Sequence, residues 1–381
     1  PLPPEVTRTH ARPSAQPSPR SPFAFVGRAG RAARALTTAA SALALAVGAL
    51  TVAPAPAHAA DPITTQEYFS YYHLDSARQK GYTGKGITIA LIDTPVDLSD
   101  PELAGANIVD KSRCTLEPSQ TSSPHGNSMA AILVSQQYGV APDAPLYTYQ
   151  TATDGAASSG SCKQGTQELD TIANLINQAI DDGAQIISIS LSNNERSSEI
   201  KWAITRAINE GVIIVSSSGN EAIYDDFSHL GRWSGVVGVT AINTDGTFAS
   251  YSSWGNGVVT AAVGGPVTIR DANTGELTTT SGTSNATALV SGMLALARQK
   301  WPEATTNQIL QSLVHSGLNP NHEWNQYTGY GAIDGGGLVI DDPSQYPDEN
   351  PLLNKPGGSE PTADEVAAYA DGLLTTAAER P

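Results

Sequence analysis

Residues 280–292, Thr-Ser-Gly-Thr-Ser-Asn-Ala-Thr-Ala-Leu-Val-Ser-Gly, decide how the rest of the chain is interpreted. A turn of small residues runs directly into the apolar run Met293–Ala297, which is rich in good helix formers. This pattern predicts a buried helix with Ser284 in its first turn. Free N–H groups and the positive end of the helix dipole favour negative charge there, including a developing oxyanion. Ser284 is therefore a candidate nucleophile, although a serine at this position can equally serve as a helix cap.

Short apolar strands alternate with helices along most of the chain. The strands are nearly continuous apolar runs, as expected for strands buried on both faces of a parallel sheet. The alternation predicts an α/β fold with a doubly wound, mostly parallel sheet, helices on both faces and right-handed crossovers. The predicted strands are Ile87–Ile92, Leu146–Tyr149, Gln185–Leu191, Val212–Ser217 and Val236–Thr240, and the predicted helices begin near His125 or cover Gln167–Ala179, Ile200–Asn209 and Thr305–Val314.

Polar side chains stand at the carboxyl ends of two predicted strands, where open α/β sheets hold their ligands. Asp93 follows the first strand, and Ser218-Gly219-Asn220-Glu221 follows the strand that ends at Ser217. His125 opens the helix that comes after the first strand. Each of these residues also has a structural explanation, because Asp93 could cap a turn and His125 could pack or cap at the helix start.

Residues 1–59 are predicted to lie outside the fold. Three arginines precede an uncharged, Ala/Leu-rich run from Ala35 to Ala53, and the small-x-small site Ala57-His58-Ala59 follows. This layout is typical of upstream sequence followed by a secretory signal peptide, and it predicts cleavage after Ala59. A membrane anchor is the alternative, but the apolar run is rich in Ala, Thr and Ser and is followed by two prolines.

The remaining chain divides by composition into a predicted domain, residues 60–340, and an acidic, Pro-rich tail or linker, residues 341–381. The formal net charge is −16, and removal of residues 1–59, with six Arg and one Glu, leaves −21. Such a charge repels nucleic acid and anionic lipid. No later stretch is long and apolar enough to cross a bilayer. We expect a secreted monomer without a membrane anchor in its mature form.

The only two cysteines, Cys114 and Cys162, both fall in the part predicted to be exported. A disulfide between them is compatible with an oxidising compartment and would contribute about 2–4 kcal/mol if unstrained, whereas two free thiols are the alternative. Neither cysteine lies in a Cys-x-x-Cys motif or a Cys/His cluster, so no metal site and no thiol chemistry are predicted at them.

Asp93, His125, Asn220 and Ser284, each in its local setting and in this order, resemble the subtilisin-like serine proteases, or subtilases. The resemblance spans about residues 64–340. Five blocks carry it: Ile89-Ala90-Leu91-Ile92-Asp93-Thr94; His125-Gly126 followed by Gly139-Val140-Ala141-Pro142; Ser190-Leu191; Ser218-Gly219-Asn220-Glu221; and Gly282-Thr283-Ser284-x-Ala286.

This resemblance implies a serine endopeptidase that cleaves protein or peptide substrates through an acyl-enzyme. Ser284 would be the nucleophile, His125 its general base, and Asp93 the group that orients the imidazole and stabilises its charged form. The Asn220 amide and the Ser284 backbone N–H would stabilise the oxyanion.

The resemblance also implies where a substrate would bind. Ser190, Leu191 and Ser192 would pair with an extended peptide as an added strand. Ser217, Ser218 and Gly219 would form a wall of the first specificity pocket.

Departures from the family pattern at Pro95, Asn127 and Ser128 leave two alternatives open. One is a catalytically weak or inactive subtilase-like binding protein. The other is a dedicated processing protease, similar to the membrane-anchored mycosins. The span from His125 to Gly139 is too short for the insertion that carries a tight calcium site in many subtilisins. We therefore predict no metal there and no required cofactor, although Asp225-Asp226 could bind calcium weakly.

Overall fold

In the computed structural model a seven-stranded parallel sheet forms the centre of the fold. The structure describes residues 62–113, 123–151, 162–164, 167–191, 196–224, 229–271, 274–320, 323–358 and 360–373. From edge to edge the strands are Ile108–Asp110 (β2), Leu146–Gln150 (β3), Ile89–Asp93 (β1), Ile186–Ile189 (β6), Ile213–Ser217 (β7), Val236–Asn243 (β8) and Val258–Gly265 (β9). All six neighbouring pairs are parallel. The predicted α/β fold with a parallel sheet is therefore confirmed.

Helices cover both faces of this sheet. Side chains along each strand point alternately to the two faces, and each face packs into its own apolar cluster. Ile186 and Ile213 point into the cluster that contains the long central helix, whereas Ile187 and Ile214 point into the opposite cluster. Within the described ranges the helices are Glu67–Tyr71 (α1), Leu74–Gln79 (α2), Ser123–Val134 (α3), Ile172–Asp181 (α4), Ser198–Asn209 (α5), Thr283–Lys300 (α6), Thr306–His315 (α7), Gly335–Ile340 (α8) and Ala363–Ala370 (α9).

The helix predicted to be buried is α6, and it is buried from Thr283 to Ala297. Small residues allow this close packing: a Cβ added to Gly292 would lie 2.6 Å from the Val140 Cβ. On the opposite face, α4 and α5 pack over β1 and β7. The predicted helix at Gln167 begins later, at Ile172, because the Thr171 side chain accepts a hydrogen bond from the Asn174 backbone N–H and caps α4 there.

Two antiparallel hairpins were not predicted. One joins Val267–Arg270 (β10) to Leu277–Thr280 (β11) and leads directly into α6, and the other joins Lys163–Gln164 (β4) to Gln167–Glu168 (β5). The first hairpin has the greater importance here, because it delivers the chain to Ser284. None of the helices within the described ranges combines the length and the apolar composition needed to span a membrane.

Residues 341–358 and 360–373, which belong to the predicted tail or linker, are packed against the preceding helices and strands. Leu352 is fully buried in the main apolar cluster, and Lys355 is only 2 % exposed. Helix α9 packs on α5, and Lys201 Nζ lies 2.6 Å from Glu365 Oε1 between them. Composition suggested a solvated segment because most of its side chains are polar, but a few buried anchors are enough to hold it in place.

Candidate active site

Asp93 and His125 are brought together at the carboxyl end of β1. His125 Nδ1 lies 2.7 Å from Asp93 Oδ1. Asp93 is 1 % exposed, whereas the His125 side chain remains 34 % exposed. The same carboxylate oxygen accepts hydrogen bonds from the Thr94 backbone N–H at 2.7 Å and from the Thr94 hydroxyl at 3.2 Å. The Nδ1 edge of the imidazole is therefore fixed by a buried carboxylate, while part of the ring remains exposed to solvent.

The first turn of α3 approaches the end of β1 so closely that only glycine fits. A Cβ added to Gly126 would lie 2.3 Å from the Thr94 carbonyl oxygen. The Gly126 backbone N–H instead donates to the Thr94 hydroxyl at 2.8 Å. This contact fixes the start of the helix against the strand, and it thereby sets the position of the neighbouring His125.

The environment of His125 raises its pKa above the ordinary value. Burial alone would lower the pKa, but the charge of Asp93 and the hydrogen bond to it outweigh that effect. An imidazole in this setting stabilises a positive charge more strongly than a free one, as a general base needs to do when it takes a proton.

Ser284 lies in the first turn of α6 and is 8 % exposed. Its hydroxyl donates to the Ser190 carbonyl oxygen at 3.1 Å, and the Ser190 hydroxyl donates to the Ser284 carbonyl oxygen at 3.3 Å. Among the described hydrogen bonds the Ser284 hydroxyl therefore pairs with Ser190 and not with His125. A rotation of the Ser284 side chain is needed before it can transfer its proton to the imidazole.

Asn220 is held by its amide oxygen, and its amide nitrogen has no hydrogen-bond partner among the described residues. Its Oδ1 accepts from the Thr283 backbone N–H at 2.8 Å and from the Thr283 hydroxyl at 3.0 Å. These two bonds fix which end of the amide faces α6, so the Nδ2 donors point away from Thr283. Gly282 leaves space beside them, because a Cβ there would lie 3.4 Å from Asn220 Nδ2.

His125, Asn220 and Ser284 line a single open cleft with a volume of about 250 Å³. Asp93 lies behind His125, outside the lining. The cleft thus combines an imidazole of raised pKa, a hydroxyl and an exposed amide donor. The backbone N–H of Ser284 adds a second donor, since N–H groups in the first turn of a helix have no intrahelical acceptor. Together these groups can support attack on a carbonyl and stabilise the resulting oxyanion.

The predicted substrate-binding residues are placed in part. Ser190 and Leu191 follow β6 and are buried, and Ser217 and Ser218 lie at the end of β7 with 4 % and 3 % exposure. Gly219 has a φ of +97°, and a Cβ there would lie 2.5 Å from His229 Nε2, so glycine is required on both counts.

Several predictions concern residues outside the described ones. Ser192, Cys114 and the acidic pair Asp225-Asp226 belong to this group. The disulfide between Cys114 and Cys162 and the weak calcium site therefore stay predictions.

Three supporting residues were missed by sequence reasoning. Thr94 and Thr283 orient Asp93 and Asn220 as described above. Asn127, which we noted only as a departure, accepts from the Asp97 backbone N–H at 2.7 Å and donates to Asp100 Oδ2 at 2.7 Å. It ties the loop after β1 to α3. The departure of Asn127 from the family pattern could have indicated this role, because a changed residue so close to His125 must form different contacts.

Comparison with known proteins places the chain in a known family. A family model described as the subtilase family matches residues 84–331. The thermostable alkaline protease of Halalkalibacterium halodurans is 30 % identical over 280 residues, which cover 71 % of this chain and 70 % of that protein. Subtilisin E of Bacillus subtilis is 29 % identical over 246 residues, 61 % of each protein.

Among solved structures, MycP1 from Mycobacterium smegmatis superposes with a TM-score of 0.60 at 23 % identity. The superposition covers 78 % of this chain and 88 % of that one. At this level of identity the likeness supports the fold alone.

Proposed function

Because this chain belongs to the subtilase family and is a serine-type endopeptidase, we propose that it hydrolyses peptide bonds through an acyl-enzyme formed on Ser284. The observation that carries this proposal is the shared cleft of Ser284, His125 and Asn220, with Asp93 bonded to the imidazole behind it. A nucleophile, a general base, a group that orients the base and an oxyanion donor are sufficient for acyl transfer, and these four residues can supply them.

In the proposed reaction the Ser284 hydroxyl leaves the Ser190 carbonyl and turns toward His125. The imidazole takes the hydroxyl proton as Ser284 Oγ attacks the scissile carbonyl carbon, and Asp93 stabilises the imidazolium that forms. His125 then gives the proton to the departing amine, which leaves the acyl group on Ser284. A water molecule, deprotonated by His125, hydrolyses the ester and restores the hydroxyl.

The negative charge of the tetrahedral intermediate falls on the former carbonyl oxygen. We assign Asn220 Nδ2 and the Ser284 backbone N–H as its donors, because both are available at the cleft and are fixed in advance. The chemistry uses only protein groups and water, so we propose that no cofactor takes part.

The substrate would lie along the edge formed by Ser190 and Leu191, with its first side chain against the wall of Ser217, Ser218 and Gly219. We further propose that the protein is secreted as a monomer after cleavage near Ala59 and carries a disulfide between Cys114 and Cys162. The basic, apolar and small-x-small layout of residues 1–59 supports export.

The test is intact mass of the purified protein before and after a fluorophosphonate probe. We expect one adduct on the wild type and none on Ser284→Ala. Absence of labelling in a protein with a cooperative thermal transition would overturn the enzyme mechanism and favour the binding-protein alternative. A peptide library separates general from dedicated cleavage, since a processing protease would cut at one sequence only.

A further inference from the structure

A buried ammonium group contacts the turn at Gly231, which packs against the backbone of Ser216 and Ser217 at the end of β7. Lys355 is 2 % exposed, and its Nζ donates to three backbone carbonyl oxygens. The distances are 2.7 Å to Gly231, 2.6 Å to Val236 and 2.9 Å to Gly257. The partners of Lys355 within the described ranges are these carbonyls, and none of them is a carboxylate. The positive charge is therefore balanced by backbone dipoles.

The chemistry of this group of oxygens is that of a cation site. Burial lowers the pKa of Lys355, and the charge of Arg232 lowers it further. Three acceptors nevertheless use all three N–H bonds of the protonated form, and a neutral amine would leave one of them without a donor. Converging carbonyl oxygens of this kind also replace the hydration shell of potassium-sized ions.

We propose that the carbonyls of Gly231, Val236 and Gly257 form a monovalent-cation site that this chain fills with its own Lys355. In this arrangement the ammonium is a tethered ligand. Its tether is the segment after residue 340, so the segment and the site are held by the same contact. Lys355 is then a positioning residue, because it acts on the cleft through the loops that it binds.

The site is connected to the cleft by direct packing. Gly231 belongs to the turn Leu230–Arg232, which His229 precedes. The His229 ring packs against the backbone of Gly219, where a Cβ would lie 2.5 Å from Nε2. Gly219 is followed by Asn220, the proposed oxyanion donor. A shift of the Gly231 carbonyl would therefore move His229 and, through it, Gly219 of the proposed specificity wall and the neighbouring Asn220 amide.

The tether is fixed by backbone hydrogen bonds on both sides of Lys355. The Leu352 carbonyl accepts from Gly235 N at 3.0 Å, and the Glu360 carbonyl accepts from Ser234 N at 2.8 Å. The Pro356 carbonyl accepts from Gly257 N at 2.6 Å. The donors of these bonds belong to the same loops that supply the three carbonyls. The ammonium therefore adds its hydrogen bonds to an interface that backbone hydrogen bonds already form.

Two variants of Lys355 separate the cation site from simple packing. Lys355→Ala removes the ammonium and leaves room for a free ion, whereas Lys355→Met removes the charge but fills the space. Thermal unfolding of each is measured in potassium, ammonium or choline chloride at equal ionic strength. We expect potassium or ammonium to raise the Tm of Lys355→Ala above its value in choline by at least about 2 °C. Wild type and Lys355→Met should not respond.

Activity on a peptide substrate gives a second readout. We expect kcat/KM of Lys355→Ala to fall several-fold in choline and to recover in potassium or ammonium, with no recovery for Lys355→Met. Equal behaviour of the two variants in all salts would overturn the proposal. So would a Lys355→Ala protein that folds in none of the salts while Lys355→Met folds. The activity readout rests on the proposed function, but the thermal readout does not, so the two failures are distinguishable.

Discussion

Asp93 Oδ1 lies 2.7 Å from His125 Nδ1, which places a buried carboxylate directly against the proposed general base. Since burial opposes the charged imidazole but Asp93 outweighs it, the pKa of His125 is raised. A base must be neutral to accept a proton, so we expect kcat/KM to rise with pH through a midpoint above about 6.5. In Asp93→Asn the midpoint should fall and kcat should decrease by about 10⁴, because the wrong tautomer is held. Rate profiles with one midpoint for both proteins would contradict this assignment.

The same pair predicts how stability depends on pH. The pKa of His125 is higher in the folded than in the unfolded state, so the native state binds this proton more tightly. The contribution is complete below the unfolded pKa of about 6.5 and disappears as pH rises through the folded pKa. The stability deficit of His125→Gln should therefore be larger at about pH 5 than at about pH 9, as measured by urea unfolding. A deficit that grows with pH would show that the sign is wrong.

Asn220→Ala should lower kcat with little change in KM. Asn220 Nδ2 is proposed to contact the oxyanion and no other part of the substrate, so its loss affects the transition state and not substrate binding. We expect a decrease of about 100–1000-fold, the range found for loss of one such donor in subtilisin. Asn243→Ala is the matched control, because Asn243 bonds Thr247 in an exposed turn. A rise in KM without a fall in kcat would argue for a substrate-binding role instead.

Gly126→Ala should separate α3 from β1. The added Cβ would lie 2.3 Å from the Thr94 carbonyl, and neither backbone can move without shifting His125 relative to Asp93. We expect destabilisation of about 1–3 kcal/mol, as for other overpacked positions, together with a loss of activity larger than stability alone explains. Gly336→Ala, where the nearest atom is the Asp334 carboxylate at 3.2 Å, is the control. Normal activity of Gly126→Ala would show that the contact is not needed for positioning.

Glu102→Ala should destabilise the fold strongly. Arg270 Nη2 lies 3.0 Å from Glu102 Oε1, with side-chain exposures of 12 % and 4 %, and the Ile63 N–H donates to the other oxygen at 2.9 Å. Removal of one member of such a buried pair costs about 3–5 kcal/mol. Asp181→Ala removes a partner of Arg206 that is 59 % exposed and should cost only about 0–1 kcal/mol. Similar denaturant midpoints for the two variants would contradict the prediction.

The parts of the fold that could be predicted follow from local patterns. Short apolar runs such as Val212–Val215 predict buried strands when they alternate with helices. The small residues before Ser284 predict the start of a helix. Asp93 and Asn220 could be proposed as site residues because each lies near the carboxyl end of a predicted strand. These signals depend only on neighbours in sequence.

The remaining features depend on residues far apart in the chain. Strand β11 of the β10–β11 hairpin is mostly exposed and, apart from Leu277, polar, so it lacks the alternation that predicts a strand with one buried face. Lys355 gave no signal, since a lysine in an acidic, Pro-rich segment is normally solvated. Its burial depends on carbonyl groups, which every residue carries and which no sequence pattern can locate. The pairing of Ser190 with Ser284 could not be predicted either, because each hydroxyl donates to a backbone carbonyl.

The long separation between Ser190 and Ser284 also has a consequence for how activity arises during synthesis. These residues are 94 positions apart, whereas Asp93 and His125 are 32 apart and Asn220 and Thr283 are 63 apart. Contacts of high sequence separation form late, because loop-closure entropy opposes them, and parallel sheets fold slowly. The histidine–carboxylate pair can therefore close well before the nucleophile reaches the sheet edge. We therefore expect a growing or partly folded chain to hold the proposed base without the proposed nucleophile, and proteolysis to begin only once the whole sheet is complete.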